Sequence, residues 1–269
     1  MEYRLLGKTD EKIPTIGMGT WAMGNRLSGQ ERSMELEAIR RGMDLGMTLI
    51  DTAEMYGYGK SERLVAEAVA DRRNEVLIAT KVSPEHFHYD DVLKSCEASL
   101  QRLAVKQIDL YQLHWPNPRI PIRETMRAME QLVNQGKIRY IGLSNFSVEQ
   151  TMDAQESLSK NEVVSNQVRY SLTSRSIEHS LFPYCEREKI TIIAYSPLDT
   201  GKISSQIPKT ITEKYKMTQA QIMLNWVTRK DSVVAIPKAA HLKHVEENAE
   251  SIARRLSSED YEILSRIFG

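Results

Sequence analysis

Residues 48–81, TLIDTAEMYGYGKSERLVAEAVADRRNEVLIATK, contain one full unit of the pattern that decides the fold. TLIDTA reads as a short apolar strand and KSERLVAEAVADR as a helix, while EVLIATK is a second, compact aliphatic strand. Two buried strands joined by a crossover long enough for a helix run parallel, and the nearly continuous apolar character of each implies burial on both faces.

The same unit recurs in both directions. On the N-terminal side, IPTIGMGTW reads as a strand ending in a glycine-containing turn, and RSMELEAIRRGMDLGM has helical spacing through Leu36, Ile39 and Met43. On the C-terminal side come a helix around Asp91 to Leu103, a strand around Ile108 to His114 and a helix around Ile122 to Asn134. Four further strands, KIRYIGLS, EVVSNQV, ITIIAYS and SVVAIPK, are separated by sequence of helical pattern. Counting TIGMG, eight parallel strands are expected, which favours closure over an open sheet. The predicted architecture is α/β, a single (β/α)8 TIM barrel over residues 1–269. A short N-terminal hairpin precedes it. An extra C-terminal helix is marked by the capping-box spacing of Ser257 and Asp260 before Ile263, Leu264 and Ile267. The segment from Asp199 to Lys214 is less regular and should hold a loop and a short helix.

Composition narrows the function. Of 269 residues 41% are apolar and 27% charged, the range of a globular chain able to bury a large core. Acidic and basic residues balance at 36 each, which gives no general attraction to nucleic acid or anionic membrane. The first residues, MEYRLLGKTDEK, lack an apolar signal core, and no stretch approaches the roughly 20 apolar residues of a membrane helix, so a cytoplasmic location is expected. Cys96 and Cys185 allow at most one disulfide. Cys96 shares a helical stripe with Val92, Leu100 and Leu103 and is read as a buried thiol. No HExxH or closely spaced His, Cys and Asp set points to a metal. Charged amphipathic helices on the outside suit a monomer, with a small assembly left open.

Polar residues collect where strands finish. Asp51 ends TLID, Lys81 ends LIATK, His114 ends LYQLH, Ser144 and Asn145 follow YIGL, Gln167 ends VVSNQ, and Tyr195 and Ser196 end ITIIAYS. The C-terminal strand ends form the functional face of a parallel barrel.

With these positions in view, the chain resembles the aldo-keto reductase family from its first strand to its last barrel helix. The motifs that carry the resemblance are GMGTW, LIDTAEMYGYGKSE, LIATKV, IDLYQLHWP, IRYIGLSNF, NQVRYSL, AYSPL, AIPKA and HVEEN. The resemblance implies carbonyl reduction by a nicotinamide cofactor, with Tyr56 as proton donor assisted by Lys81 and Asp51. The chemistry has its own logic: hydride addition leaves negative charge on the carbonyl oxygen, and a nearby phenol can place a proton there. An ammonium beside the phenol favours its ionised form and is expected to lower its pKa from the usual value near 10. Asp51 can hold the lysine, and the His114 imidazole can polarise or orient the carbonyl.

No GxGxxG opens a βαβ unit, which argues against a Rossmann domain and not against nicotinamide. In the family the barrel itself binds NADPH or NADH. Carried over by matching motifs, Ser144, Asn145 and Gln167 would bind the nicotinamide carboxamide and Tyr195 would stack on the ring. Asp51 adjoins the same site. Gly19, Thr20 and Trp21 would lie near cofactor or substrate, and Ser196 and Leu198 near the pyrophosphate, with Pro197 shaping the turn. AIPKAAHLKHVEEN resembles the segment that recognises adenosine. It brings Ile236 and Pro237, places Lys238 toward a ribose 2′-phosphate, and sets Glu247 and Asn248 on the adenine side. Two positions depart from the family. Ala239 replaces a common serine or threonine, and His244 stands where arginine is frequent, giving up a cationic fork for an imidazole. Lys243 either compensates or is a solvated helix residue. NADP(H) is expected to be preferred, with NAD(H) also used.

The expected substrate is a small aldehyde or ketone, sugar-derived and 2-keto compounds included, or the corresponding alcohol in reverse. Trp21, Met23, Met55, Tyr56, Phe87, His114 and Trp115 are the expected rim. Because the sequence stops at Gly269, directly after its last helix, the long tail that closes the pocket in some relatives is missing, and an open, permissive pocket is expected. Two other functions fit the fold: a nicotinamide-binding regulatory or auxiliary subunit with little turnover, and a different TIM-barrel enzyme acting on a phosphorylated ligand.

Overall fold

The computed structural model describes residues 1–25, 28–199 and 207–268. A two-stranded antiparallel hairpin opens the chain, β1 (Tyr3–Leu5) paired with β2 (Lys12–Pro14). Eight parallel strands follow in sequential order: β3 (Met18–Gly19), β4 (Leu49–Asp51), β5 (Leu77–Val82), β6 (Ile108–Leu113), β7 (Ile138–Ser144), β8 (Val163–Arg169), β9 (Thr191–Tyr195) and β10 (Val233–Ala235). Each expected strand is present. The expected TIM barrel is what the residues form, with the hairpin at one end and a terminal helix added.

Closure is made by backbone. Ala235 N donates to Thr15 O at 2.9 Å, Gly17 N to Ala235 O at 2.8 Å and Gly19 N to Pro237 O at 3.1 Å, joining the first barrel strand to the last. At this seam Gly19 is needed for space, since a Cβ there would lie 2.8 Å from the Ile236 carbonyl oxygen.

Every residue of β5 and β6 is buried, as strands covered on both faces must be. Their inner faces pack into one core with Leu49, Leu77, Ala79, Leu110, Ile193 and Val234, and the hairpin end of the barrel is plugged by Leu6 and Ile13. The outer faces pack against helices. α1 (Gly29–Asp44) turns Ala38, Ile39 and Met43 inward from an N-cap in which Ser28 Oγ accepts from Glu31 N. α2 (Lys60–Val69) buries Leu64, Val65, Ala68 and Val69. α3 (Tyr89–Leu103) carries Cys96 among Val92, Leu100 and Leu103, and burial pushes its thiol up to about 12, so the side chain behaves as an inert apolar filler. α4 (Ile122–Asn134), α5 (Val148–Glu156) and α6 (Leu181–Glu188) continue the ring.

The irregular stretch expected at 199–214 lies partly outside the described residues. Its short helix is present as α7 (Lys209–Tyr215). After α8 (Gln219–Val227) and α9 (Leu242–Glu250) comes the terminal helix α10 (Ser258–Phe268). Half of the expected capping box is formed: Asp260 N donates to Ser257 Oγ at 3.2 Å, but Ser257 N donates to Tyr215 OH at 2.8 Å, and the Asp260 carboxylate instead receives Ser257 Oγ at 2.8 Å. Among the described residues no helix is long and apolar enough to cross a membrane.

Candidate active site

Strand register places the polar residues in one layer. Gly19 pairs with Asp51, Asp51 with Ala79, Lys81 with Gln112 and Ser144 with Gln167, so the side chains at these strand ends converge on the mouth of the barrel. Asp51 and Lys81 meet there almost without solvent. Lys81 Nζ donates to Asp51 Oδ1 and Oδ2 at 2.8 Å each, to Thr52 O at 2.8 Å and to Tyr56 OH at 3.4 Å. Gln167 Nε2 reaches Asp51 Oδ1 at 2.7 Å, and Gln112 Nε2 approaches the same oxygen at 3.5 Å.

Burial alone pulls the lysine's pKa down. The Asp51 carboxylate and the Tyr56 hydroxyl overcome that and hold its pKa above the ordinary value, so Lys81 stays an ammonium. For Tyr56 the balance goes the other way. Burial raises the phenol's pKa, Lys81 pulls it down, and Asp51 pushes it up again, for a net rise. The expectation of a lowered value is therefore corrected: the aspartate that positions the lysine also cancels part of its field, and desolvation decides the sign. A phenol in this state is fully protonated at neutral pH.

His114 lies beside Tyr56, ring centroids 5.8 Å apart at 71°, and stacks on Trp115 at 4.1 Å. Burial, aided by the Lys81 charge, brings its pKa down to about 3. It is a neutral imidazole, one ring nitrogen a donor and the other an acceptor. Its buried Nδ1 has no partner among the described residues.

The ends of β7 to β9 form a linked amide and hydroxyl group. Asn145, at φ 64°, donates to His114 O at 3.2 Å and to Ser144 Oγ at 3.1 Å, and its Oδ1 accepts from Tyr195 OH at 3.0 Å. Ser144 Oγ donates to Gln167 O at 3.0 Å. Hydroxyl and amide groups beside a half-exposed aromatic ring are the donor and acceptor set that a carboxamide-bearing aromatic ring requires. A nicotinamide thus fits the residues present. Ser196, also at positive φ, leads with Pro197 and Leu198 into the following turn.

Other expected site residues take different places. Trp21, Met55 and Trp115 are exposed at the mouth. Phe87 and Met23 are 1% exposed and belong to the packing between barrel and helices, which corrects their expected place on the rim. Thr20 is buried, with its hydroxyl within hydrogen-bond reach of Asp51 O at 2.9 Å and Ser61 Oγ at 2.7 Å, so its side chain braces β4. Ile236 packs inside the barrel and Pro237 O receives Gly19 N. Lys238 is exposed just beyond them. On α9, Glu247 takes up both His244, at 3.2 Å, and Lys243, at 3.9 Å, while Asn248 is buried. Among the described residues no group of three or more His, Cys, Asp or Glu is placed to hold a metal ion. Sequence reasoning missed Gln112, signalled only as a polar residue inside the apolar strand IDLYQL, and Glu54, which gave no signal at all.

Comparison with known proteins agrees with this fold. Residues 15–268 match the profile described as the Aldo/keto reductase family. Methylglyoxal reductase YeaE of Escherichia coli is 38% identical over 265 residues, 96% of this chain and 92% of its own. A thermostable aldo-keto reductase, crystallised with the inhibitor epalrestat, superposes with a TM-score of 0.94 at 39% identity, covering 99% of this chain and 100% of that one. An aldo/keto reductase from Klebsiella pneumoniae, in complex with NADP and acetate, gives 0.90 at 37% identity, covering 100% and 96%.

Proposed function

The chain belongs to the aldo/keto reductase family, whose activity is NAD(P)H-dependent carbonyl reduction, and from that membership we propose that it reduces short aldehydes and ketones, 2-oxoaldehydes among them, with Tyr56 as proton donor. The observation that carries this reading is Lys81 Nζ, wholly buried, bridging the Asp51 carboxylate at 2.8 Å and the Tyr56 hydroxyl at 3.4 Å.

A nicotinamide held by Ser144, Asn145, Gln167 and Tyr195 would supply the hydride for the carbonyl carbon. Tyr56 holds a proton on its hydroxyl oxygen, and its raised pKa keeps that proton in place until negative charge develops on the substrate oxygen. The Lys81 ammonium stabilises the phenolate left behind. Asp51 fixes the ammonium. His114, neutral and set edge-on to Tyr56, orients the carbonyl without adding a charge. Ser144, Asn145 and Gln167 bind the carboxamide, and Tyr195 flanks the ring plane. Ser196 and Leu198 would hold the pyrophosphate, with Pro197 shaping the turn. Trp21, Met55 and Trp115 cover the substrate's apolar surface.

The preferred cofactor in this reading is NADP(H). Lys238 is exposed beyond the seam and available for a 2′-phosphate, and the Klebsiella relative is crystallised with NADP, whereas Glu247 draws Lys243 toward itself and weakens its pull. NAD(H) is therefore also bound.

Following NADPH oxidation with methylglyoxal, glyoxal, simple aldehydes and 2-keto sugars tests the reading. Turnover with the short 2-oxoaldehydes at the highest kcat/KM is expected. No turnover with any carbonyl under either cofactor overturns it. Lys238→Ala should weaken NADPH about tenfold, the order of one charge-assisted contact to phosphate, and leave NADH unchanged.

A further inference from the structure

The geometry points to Glu54 as a positioning residue: its carboxylate ties the loop carrying Tyr56 to the loop that follows Lys81, and this tie fixes the separation between the Tyr56 hydroxyl and the Lys81 ammonium. The inference rests on Tyr56 being the proton donor.

Glu54 stands two residues before Tyr56, and Ser83 two residues after Lys81. Ser83 N donates to Glu54 Oε1 at 2.7 Å. His86 Nδ1, in the turn beyond Ser83, lies 2.9 Å from the same oxygen, and Arg102 of α3 brings Nη2 to 3.8 Å from Oε2. The Glu54 side chain is only 9% exposed, so its contacts with Ser83 N and Arg102 lie where solvent screens weakly, while His86 approaches from the open side. Arg102 is itself anchored. Its Nε pairs with Glu62 of α2, and Glu62 Oε1 receives Thr80 Oγ1, one residue before Lys81, at 2.7 Å. The arginine also packs against Gly59, at φ 80°, where a Cβ would overlap its side chain.

The loop needs such a tie. Its tip is open: Met55 is exposed and Tyr58 is 99% exposed, so neither side chain packs it down. Besides the contact of Asn25 with Gly57, residues 53–58 are held by turn bonds, Tyr56 N to Ala53 O at 3.0 Å and Tyr58 N to Met55 O at 3.4 Å, by Ser61 N and Lys60 N of α2 donating to Tyr56 O at 3.3 Å and Gly57 O at 3.2 Å, and by a long bond from Glu54 N to Lys81 O at 3.4 Å. Those bonds set the loop's own form. Of these bonds only the long one from Glu54 N reaches β5, and the Glu54 carboxylate adds the shorter 2.7 Å bond to Ser83 N. Lys81 grips the loop's start through Thr52 O, and Glu54 grips it again two residues on, which leaves Tyr56 little freedom to drift from Lys81.

Glu54→Ala removes the acceptor and Glu54→Gln keeps one for the Ser83 N–H. Ser83→Pro deletes the N–H donor, together with the buried Ser83 hydroxyl, at a φ of −72° that proline adopts. Crystal structures of the wild type and variants, NADPH titration, thermal unfolding and steady-state kinetics are the measurements. For Glu54→Ala and Ser83→Pro the Tyr56–Lys81 separation should open beyond hydrogen-bond reach, and kcat should fall about ten- to a hundredfold, the usual penalty for misplacement on the ångström scale. Carbonyl KM and NADPH Kd should stay within about twofold, since neither ligand touches Glu54 in this reading. Glu54→Gln should restore most of kcat. An unchanged separation and kcat in Glu54→Ala, or in Ser83→Pro should the first variant not fold, overturns the role, as does a loss of activity that only follows a loss of folded protein. A wild type inert toward every carbonyl overturns the reductase reading instead, while the crystallographic separation still decides the role of Glu54.

Discussion

Lys81 Nζ stands at equal distance, 2.8 Å, from the two carboxylate oxygens of Asp51, so the buried cation and anion share both ends of one contact. Neither charge has water to fall back on. Asp51→Asn leaves the ammonium without its counter-charge and should cost about 3–5 kcal/mol of stability, the range for breaking a buried pair. Removing both charges, as Asp51→Asn with Lys81→Met, should cost less than the two single changes added together. Urea unfolding at pH 7 of the four proteins gives the cycle. Additive losses would show that the pair is not energetically coupled.

Tyr56→Phe removes one oxygen whose only side-chain hydrogen-bond partner among the described residues is Lys81. Binding of NADPH, followed by quenching of protein fluorescence, should be unchanged within about twofold, while kcat for reduction falls by about 10²–10⁴, the worth of a positioned general acid. Wild-type turnover by this variant would take the acid role away from Tyr56.

His114 gives a pH signature with a definite sign. Its folded pKa is brought down to about 3, below the ordinary value of 6.5, so below pH 6.5 the unfolded chain takes up a proton that the folded chain refuses. This residue's share of stability is complete above pH 6.5 and is lost as pH falls toward 3, at up to about 1.4 kcal/mol per pH unit for one proton. Denaturant unfolding between pH 7 and 4.5 should therefore show a shallower slope for His114→Asn than for the wild type. Parallel slopes would mean that the imidazole titrates alike in both states.

Gly19→Ala tests the seam. A methyl group 2.8 Å from the Ile236 carbonyl must push β3 from β10, and overpacking of this kind costs about 1–3 kcal/mol. A lowered midpoint in thermal unfolding is expected, with weaker cofactor binding because Lys238 follows directly. A variant as stable as the wild type would show that the seam has slack.

The strands were legible because burial on both faces leaves compact, mostly apolar runs such as LIATKV and IDLYQL, and the polar residues at strand ends gave Asp51, Lys81, His114 and Gln167 in turn. Phe87 and Met23 were misread because a loop residue after a strand can point to the mouth or fold back under the helices, and one sequence does not distinguish the two. The sign of the Tyr56 shift was illegible for a related reason. It depends on how completely the phenol is desolvated and on Asp51 lying close enough to offset Lys81, and neither distance is written in the spacing. Glu54 was invisible because both its main partners, a backbone N–H at residue 83 and a guanidinium at residue 102, come from other elements.

The seam that closes the barrel also orders events in time. Each strand from β4 to β9 meets its neighbour within one crossover, yet Gly17 and Thr15 must wait for Ala235, some 220 residues later in synthesis. At a ribosomal pace of about 5–20 residues per second, the first barrel strand emerges roughly ten to forty seconds before its second neighbour exists. During that interval the nascent chain has an open sheet edge and an unfinished mouth. Contacts of such long sequence separation are the slowest to form. The last strand therefore completes both the fold and the rim on which Lys238 sits, and a chain stalled before residue 233 would need a chaperone to keep its exposed edge from pairing with another.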